Sequence, residues 1–514
     1  MFGPFENEPL TDFSDPTTAA AFEAALQATR GRLGATYSNV IGGKEVTAGG
    51  TFDSVDPSDS ATVVGTFQDG TVDDAEAALA AAWKAFPSWS ATPVRERATV
   101  LLRAAHDMRR RKHEFSSAMV LEAGKTWVEA DADTAEAIDF LEFYAREAVR
   151  WDAVQPTTPY PGETNNVVYI PLGAGAVIPP WNFPVAIAAG MTAAPVVAGN
   201  TVVLKPAEQT PYTGWLVFDL LRRAGLPEGV VNFVTSADGA VVGGRLVQHP
   251  KTRFISFTGS KAVGCWIYAE AAKVREGQIW LKRVVAEMGG KDAILVDADA
   301  DVDAAADAIV RAAFGFQGQK CSACSRALIH KDLYEAIEAK VAAATRAITV
   351  GHPSNQANGM GAVIDGEAEA RILEYMEIGK SEGNLLAGGG AAGSGGHFVQ
   401  ATVFGRVPRD ARIANEEIFG PVLALVPVDS YEQGVEIFNA TDYGLTGAFF
   451  GRANIEDAKR RLHCGNLYIN RKCTGALVDV QPFGGFNMSG TDTKAGGREH
   501  LLAFLQAKTI CERL

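Results

Sequence analysis

Cysteine is scarce in this chain of 514 residues: six are present, at positions 265, 321, 324, 464, 473 and 511. Their spacing forms no paired framework, so the sequence reads as a protein of a reducing compartment, the cytoplasm, rather than a disulfide-stapled secreted one. Cys321 and Cys324 make a C-x-x-C, yet no second such pair and no closely spaced histidine pair supplies the other ligands of a zinc site, so no metal is expected. Long apolar runs are missing too, and none reaches the ~18 consecutive residues that a membrane span needs. Basic charge is in deficit: 47 Lys and Arg against 61 Asp and Glu give a formal net charge of -14, which repels nucleic-acid phosphates. The one basic run, Arg109-Arg110-Arg111-Lys112, is expected to be a solvated helix face. Glu6, Glu8 and Asp12 make the N-terminus too acidic for a signal or transit peptide.

With 47% hydrophobic and 21% charged residues the chain reads as globular, and its length exceeds what one compact core serves. Two or three domains are expected. An N-terminal helix is predicted over 17–33, a β-rich patch over 36–67, and long helices over 72–86, 94–121 and 127–151. An exposed strand follows at 166–170. From Gly173 the pattern alternates: strands near 174–178, 201–205, 230–234 and 253–258, each followed by an amphipathic helix. Short apolar strands alternating with helices imply parallel βαβ units in an open, doubly wound sheet. A second α/β unit begins after Glu287, with strands at 293–296 and 326–330 and helices at 302–316 and 333–347. The glycine cluster 388–396 reads as a surface loop, and further strands lie around 416–428 and 465–470. Asp297, Asp299 and Asp301 start like a calcium loop, but Val302 and Ala308 stand where it needs Gly and Glu, so they read as helix-capping acids.

Cys321 sits in Gly318-Gln319-Lys320-Cys321-Ser322, a polar setting that suits a reactive thiol. The nearest histidine, His330, is nine residues on, while Glu287 precedes the cysteine in Glu287-Met288-Gly289-Gly290-Lys291. The pair reads as nucleophile, Cys321, and base for water, Glu287. Asn182, in the rigid turn Pro179-Pro180-Trp181-Asn182-Phe183-Pro184, reads as an oxyanion donor or as a structural turn amide. No G-x-G-x-x-G follows the first strand, so a dinucleotide would be held in another way. Lys205 and Glu208, at the end of a strand, read as ribose contacts or as a surface ion pair. Phe257-Thr258-Gly259-Ser260 opens a helix whose N-terminus suits a pyrophosphate.

Six motifs stand in an order and spacing that resembles the aldehyde dehydrogenase superfamily. They are the 180–184 turn, Lys205-Pro206-Ala207-Glu208, the 257–260 segment, Glu287-Met288-Gly289-Gly290-Lys291, the Cys321 segment, and Glu416-Glu417-Ile418-Phe419-Gly420-Pro421. The likeness runs from about residue 39 to 490. Three tracts further resemble the Δ1-pyrroline-5-carboxylate (L-glutamate γ-semialdehyde) dehydrogenases: 315–322, 474–478 before 481–486, and 136–140 with 143–145. The resemblance implies an α/β fold with an NAD-binding domain (39–150 and 171–286), a catalytic domain (287–490), an oligomerisation flap (151–170 and 491–514) and an N-terminal helical arm (1–38). It implies NAD held by Pro179, Trp181, Lys205, Glu208, Gly259, Ser260, Glu417 and Phe419, with acidic Glu208 favouring NAD over NADP. Cys321 would form a thiohemiacetal and then a thioester on the semialdehyde, with Asn182 on the oxyanion and Glu287 activating water to release glutamate. For a substrate with an amino-acid end, Ser322, Gly475 and Ala476 would hold the carboxylate, Glu136 would face the ammonium, and Phe183 and Phe483 would flank the stem. A homo-oligomer is implied. A different aldehyde specificity, such as succinate semialdehyde, is the alternative.

Overall fold

The computed structural model describes residues 3–47 and 49–514. Met1 and Phe2 of the expected arm and position 48 of the expected NAD-binding domain lie outside the described residues. Two seven-stranded sheets organise the chain. In the first, the strand order is Arg283–Glu287, Phe254–Thr258, Ala174–Ile178, Thr201–Leu204, Val231–Phe233, Asn39–Ile41 and Lys44–Val46. The first five are parallel to one another, and the last two add an antiparallel edge. Ala174, Ala176, Val177, Val202, Val203 and Leu204 are fully buried, as expected for strands covered by helices on both faces.

The chain order reverses between Ala174–Ile178 and Phe254–Thr258: from the former, the next two strands step outward one way and the following two lie on the other side. At such a reversal the loops leaving the strands' carboxyl ends diverge and open a crevice. Pro179, Lys205 and Gly259 each follow the carboxyl end of one of these strands.

The second sheet runs Asn384–Ala387, Thr402–Gly405, Val422–Val428, Cys324–His330, Asp292–Val296, Thr446–Phe450 and Asn466–Ile469, with only the first strand antiparallel. Glu287 ends the outer strand of the first sheet, and Cys321 lies just before a central strand of the second. Both therefore fall at the junction between the sheets. A third, three-stranded sheet joins Ala35–Tyr37, Asp59–Gln68 and Thr51–Asp56, and Glu163–Pro171 pairs antiparallel with Leu505–Arg513 along nine residue pairs.

Two helical expectations change. The helix expected over 94–121 is two, Val94–Arg110 and Lys112–Glu122, broken at Arg111 with φ -107 and ψ 19. Its basic run is a solvated face only in part: Arg109 and Arg110 are exposed, but Arg111 is half-buried and Lys112 buried. Arg111 bonds Asp107 on one side and Glu114 on the other. Arg109 pairs with Glu8 at 2.7 Å, and the buried Lys112 reaches Asp131 at 3.0 Å and the Pro9 carbonyl at 2.9 Å. The helix expected to stop at Phe86 runs from Val72 to Ala91 with Pro87 inside it, where Trp89 is buried and donates to the Val196 carbonyl at 2.8 Å.

Candidate active site

The turn before Cys321 is built against local preference. Phe316 and Gln317 are consecutive non-glycine residues with left-handed backbones, φ 50 and 55. Each such residue costs on the order of 1–3 kcal/mol and persists only where its surroundings over-determine it. The Gln317 amide supplies that constraint, donating to the carbonyls of Gly124 at 2.9 Å and Ala362 at 2.8 Å. Gln319 adds a second tie: its side-chain oxygen accepts from Ile364 N at 3.0 Å. Asn182 is buried and its amide donates to the Gln319 carbonyl at 3.0 Å. One Asn182 N–H thus grips the cysteine loop, and the other has no partner among the described residues.

Cys321 is partly exposed. Burial and the carboxyls of Asp292, Glu287, Glu417 and Glu136 push its pKa well above the ordinary thiol value. The neighbouring lysine does not offset this, because Lys320 is turned to Glu129, 2.6 Å away. Glu287 is likewise pushed well above the carboxylate range by burial. The Gly485 backbone N–H pulls the other way, but neither oxygen makes a close hydrogen bond among the described residues. The side chain lies against the 484–490 loop, where a Cβ on Gly484 would sit 3.1 Å from Oε1 and one on Gly490 would sit 3.2 Å from Oε2. At neutral pH the thiol therefore holds its proton.

A cleft of about 910 Å³ opens at the strand-order reversal. All eight residues expected to hold a dinucleotide line it, together with Asn182 and Cys321; Glu287 does not. Ser260 caps the Lys261–Ala271 helix, accepting from Val263 N, and so presents a helix N-terminus to the cleft. Lys205 is buried with its ammonium 3.3 Å from the partly exposed Glu208. A Cβ at Gly239 would stand 3.1 Å from that ammonium and 3.4 Å from the Glu208 carboxylate, so the glycine keeps a cradle open over the pair. A donor beside an acid under an open cradle fits ribose hydroxyls, and the cleft volume lies within the usual range for ligand pockets. At the other end Phe419, itself left-handed at φ 58, meets Trp181 edge to face at 5.4 Å. Glu417 accepts from Gly290 N at 2.9 Å, an approach allowed because a Cβ on Gly289 would overlap the carboxylate.

None of the expected substrate residues lines this cleft. Glu136 lies on the Trp127–Trp151 helix, and burial followed by Asp133 pushes its carboxyl up to about 8. Ser322 is buried, and its carbonyl accepts from the Cys473 thiol at 3.5 Å, which brings the loop carrying Gly475 and Ala476 against the neighbour of Cys321. Phe183 meets Phe316 edge to face at 6.2 Å, while Phe483 bridges Ala495; no ring contact joins Phe183 to Phe483 among the described residues.

Sequence reasoning missed Lys125. It is fully buried, pairs with Asp133 at 2.7 Å, and places its ammonium 3.9 Å from the Phe183 ring centre and 4.3 Å from that of Phe316. Glu129, Asp133 and Glu136 recur at helical spacing along the Trp127–Trp151 helix, a pattern that would have flagged a polar stripe. Gln317 carried no such signal, since its partners lie 193 and 45 residues away.

The aldehyde dehydrogenase family matches residues 45–510. The chain is similar to the 1-pyrroline-5-carboxylate dehydrogenase of Geobacillus sp. (strain WCH70), 53% identical over 514 residues and 100% of both chains. It is also similar to that of Bacillus subtilis (strain 168), 50% identical over 510 residues and 99% of both. The crystal structure of the 1-pyrroline-5-carboxylate dehydrogenase from Thermus with bound NAD superposes with a TM-score of 0.98 at 48% identity, covering 100% of each chain. With the cysteine turn, the cleft at the sheet reversal and this full-length match together, the chain belongs to the aldehyde dehydrogenase family.

Proposed function

We propose that the protein oxidises L-glutamate γ-semialdehyde, the open form of Δ1-pyrroline-5-carboxylate, to L-glutamate with NAD, in proline degradation. The observation that carries this reading is full-length similarity at about half identity to 1-pyrroline-5-carboxylate dehydrogenases, together with a Cys321 that lines the cleft and lies within electrostatic reach of Glu136. NAD bound in the cleft supplies the hydride acceptor. Lys205 and Glu208 would hold its ribose, Gly259 and the Ser260 helix end its pyrophosphate, and Pro179, Trp181, Glu417 and Phe419 its nicotinamide half, a reading supported by their all lining the cleft.

The Cys321 thiol loses its proton and adds to the aldehyde carbon. Asn182, through the N–H not spent on Gln319, and the Cys321 backbone N–H steady the oxyanion. After oxidation the substrate remains on Cys321 as a thioester. Glu287, once ionised, takes a proton from the water that hydrolyses it. At the far end Ser322, Gly475 and Ala476 donate to the α-carboxylate, Glu136 meets the α-ammonium, and Phe183 and Phe483 flank the stem.

Residues 39–150 and 171–286 serve as the NAD-binding domain and 287–490 as the catalytic domain, a division supported by the two seven-stranded sheets. The Glu163–Pro171 and Leu505–Arg513 ribbon, with segments 151–170 and 491–514, forms the flap of a homo-oligomer. An isolated two-stranded ribbon is marginal in water and gains from a partner. The protein works in the reducing cytoplasm, where its six cysteines stay free thiols. No helix among the described residues is long and apolar enough to cross a membrane.

Mass analysis of the Glu287→Gln enzyme, quenched during turnover, tests the mechanism. A glutamyl adduct on the Cys321 peptide is expected; an adduct elsewhere, or none while NADH still forms, contradicts it.

A further inference from the structure

The N-terminal arm runs antiparallel along the Trp127–Trp151 helix in a regular register. Arg146 donates to the Gly3 carbonyl at 2.9 Å, and Phe5 meets Phe143 edge to face at 5.3 Å. Glu8 N donates to Asp139 at 2.6 Å, and Thr11 bonds Asp131 through both its backbone N–H at 2.8 Å and its hydroxyl at 2.5 Å. One residue of the arm does more than follow the helix. The Asn7 amide nitrogen donates to Asp139 Oδ2 at 2.8 Å and also to the Val478 carbonyl at 3.0 Å. A primary amide has two N–H groups, so both are committed: one to the helix that carries Glu136, the other to the end of the loop that carries Gly475 and Ala476.

Asp139 lies three residues from Glu136, close enough that its charge acts on the Glu136 carboxyl. Val478 is buried and packs under Gly496, while its neighbour Asp479 bonds Gly496 and Arg498. Asn7 therefore ties together two walls that are about 340 residues apart in sequence (478 minus 139).

We propose that Asn7 is a positioning residue for substrate selectivity: its amide sets the spacing between the wall that faces the α-ammonium and the loop that holds the α-carboxylate of the amino-acid end. The inference rests on the proposed substrate. It requires no contact between Asn7 and substrate; the arm acts through Asp139 and Val478. An aldehyde lacking the amino-acid end uses neither wall and is indifferent to their spacing.

The test compares kcat and KM for glutamate γ-semialdehyde, supplied as pyrroline-5-carboxylate, with those for propanal at saturating NAD. Asn7→Ala should raise KM for the semialdehyde ~10-fold, the loss of about one charged-group hydrogen bond, with kcat changed less than about 2-fold and propanal kcat/KM retained. Asn7→Asp, isosteric but facing two acceptors with no N–H to offer, should raise it further. Both effects are read as a ratio of the two substrates on one preparation, so partly unfolded enzyme cancels. Thr11→Ala removes the arm's hydroxyl bond to Asp131 without touching the loop and should leave the ratio as in wild type. Equal losses on both substrates, an equal shift from Thr11→Ala, or an unchanged ratio in both Asn7 variants overturns the proposal. A wild-type enzyme that does not prefer the semialdehyde to propanal instead overturns the substrate reading, before Asn7 enters.

Discussion

Replacing Gln317 probes how the Cys321 loop is held. Its side chain is fully buried, and its amide donates to two carbonyls, of Gly124 and Ala362, on two segments that meet beside it. Gln317→Ala deletes both bonds and leaves both acceptors buried. At a net ~1 kcal/mol per bond, with a further penalty for the stranded carbonyls, the loss is about 2–4 kcal/mol. The backbone adds a sharper signature. With φ 55, alanine stays strained while glycine does not, so Gln317→Gly should be more stable than Gln317→Ala by ~1 kcal/mol. That inverts the usual order, in which glycine is the weaker substitute. Catalysis falls with the constraint, because Gln319 and Cys321 ride on the same loop and a shift of ~1 Å in a reacting group costs roughly 100-fold. Unfolding midpoints and kcat measured on the three proteins are expected in the order wild type, Gly, Ala. An alanine variant as stable as wild type, or more stable than the glycine variant, refutes the reasoning about this turn.

Other consequences follow from the same geometry. Cys321→Ala should abolish NADH formation and leave NAD binding, measured by calorimetry, intact. Because burial and the surrounding carboxyls raise the Cys321 pKa, its alkylation by iodoacetamide should be slower at neutral pH than that of a free thiol and should climb through the alkaline range; rapid labelling in mild acid contradicts this. Lys125→Met strands Asp133 as a buried unpaired charge and should cost about 3–5 kcal/mol, while the double variant with Asp133→Asn should recover part of the loss in denaturant midpoint. Glu136 loses its proton near 4.5 when unfolded but near 8 when folded, so the unfolded state binds fewer protons across that window and stability falls as pH rises. Glu136→Gln should flatten that fall and raise the melting temperature at pH 8, while weakening selection for the substrate's ammonium.

How much the sequence disclosed depended on whether the cause was local. The strands at Ala174–Ile178 and Thr201–Leu204 announced themselves because both faces are buried and every position is apolar or small. The Trp127–Trp151 helix has the expected bounds because its apolar stripe and its polar one run the same length. The break at Arg111 was hidden: no proline or glycine marks it, and it is stabilised by ion pairs within the helix and by an arm one hundred residues earlier in the chain. The stretch from 366 to 461 was only partly readable. The Gly366–Glu382 helix and the strands Thr402–Gly405 and Thr446–Phe450 were not assigned, the strands being only four and five residues long. At the site, motif residues such as Lys205, Ser260 and Cys321 were legible and the structure gathers them along one cleft. Their supports, Gln317, Lys125 and Asn7, were not, because each acts on groups that only the folded chain brings near.

The central claim concerns which aldehyde the enzyme oxidises. Steady-state NADH formation by the wild-type enzyme, measured across pyrroline-5-carboxylate, succinate semialdehyde and propanal, tests it most directly. The account predicts the highest kcat/KM for pyrroline-5-carboxylate, with Ser322→Ala lowering that value more than the value for propanal. A kcat/KM for succinate semialdehyde or propanal equal to or above that for pyrroline-5-carboxylate contradicts it.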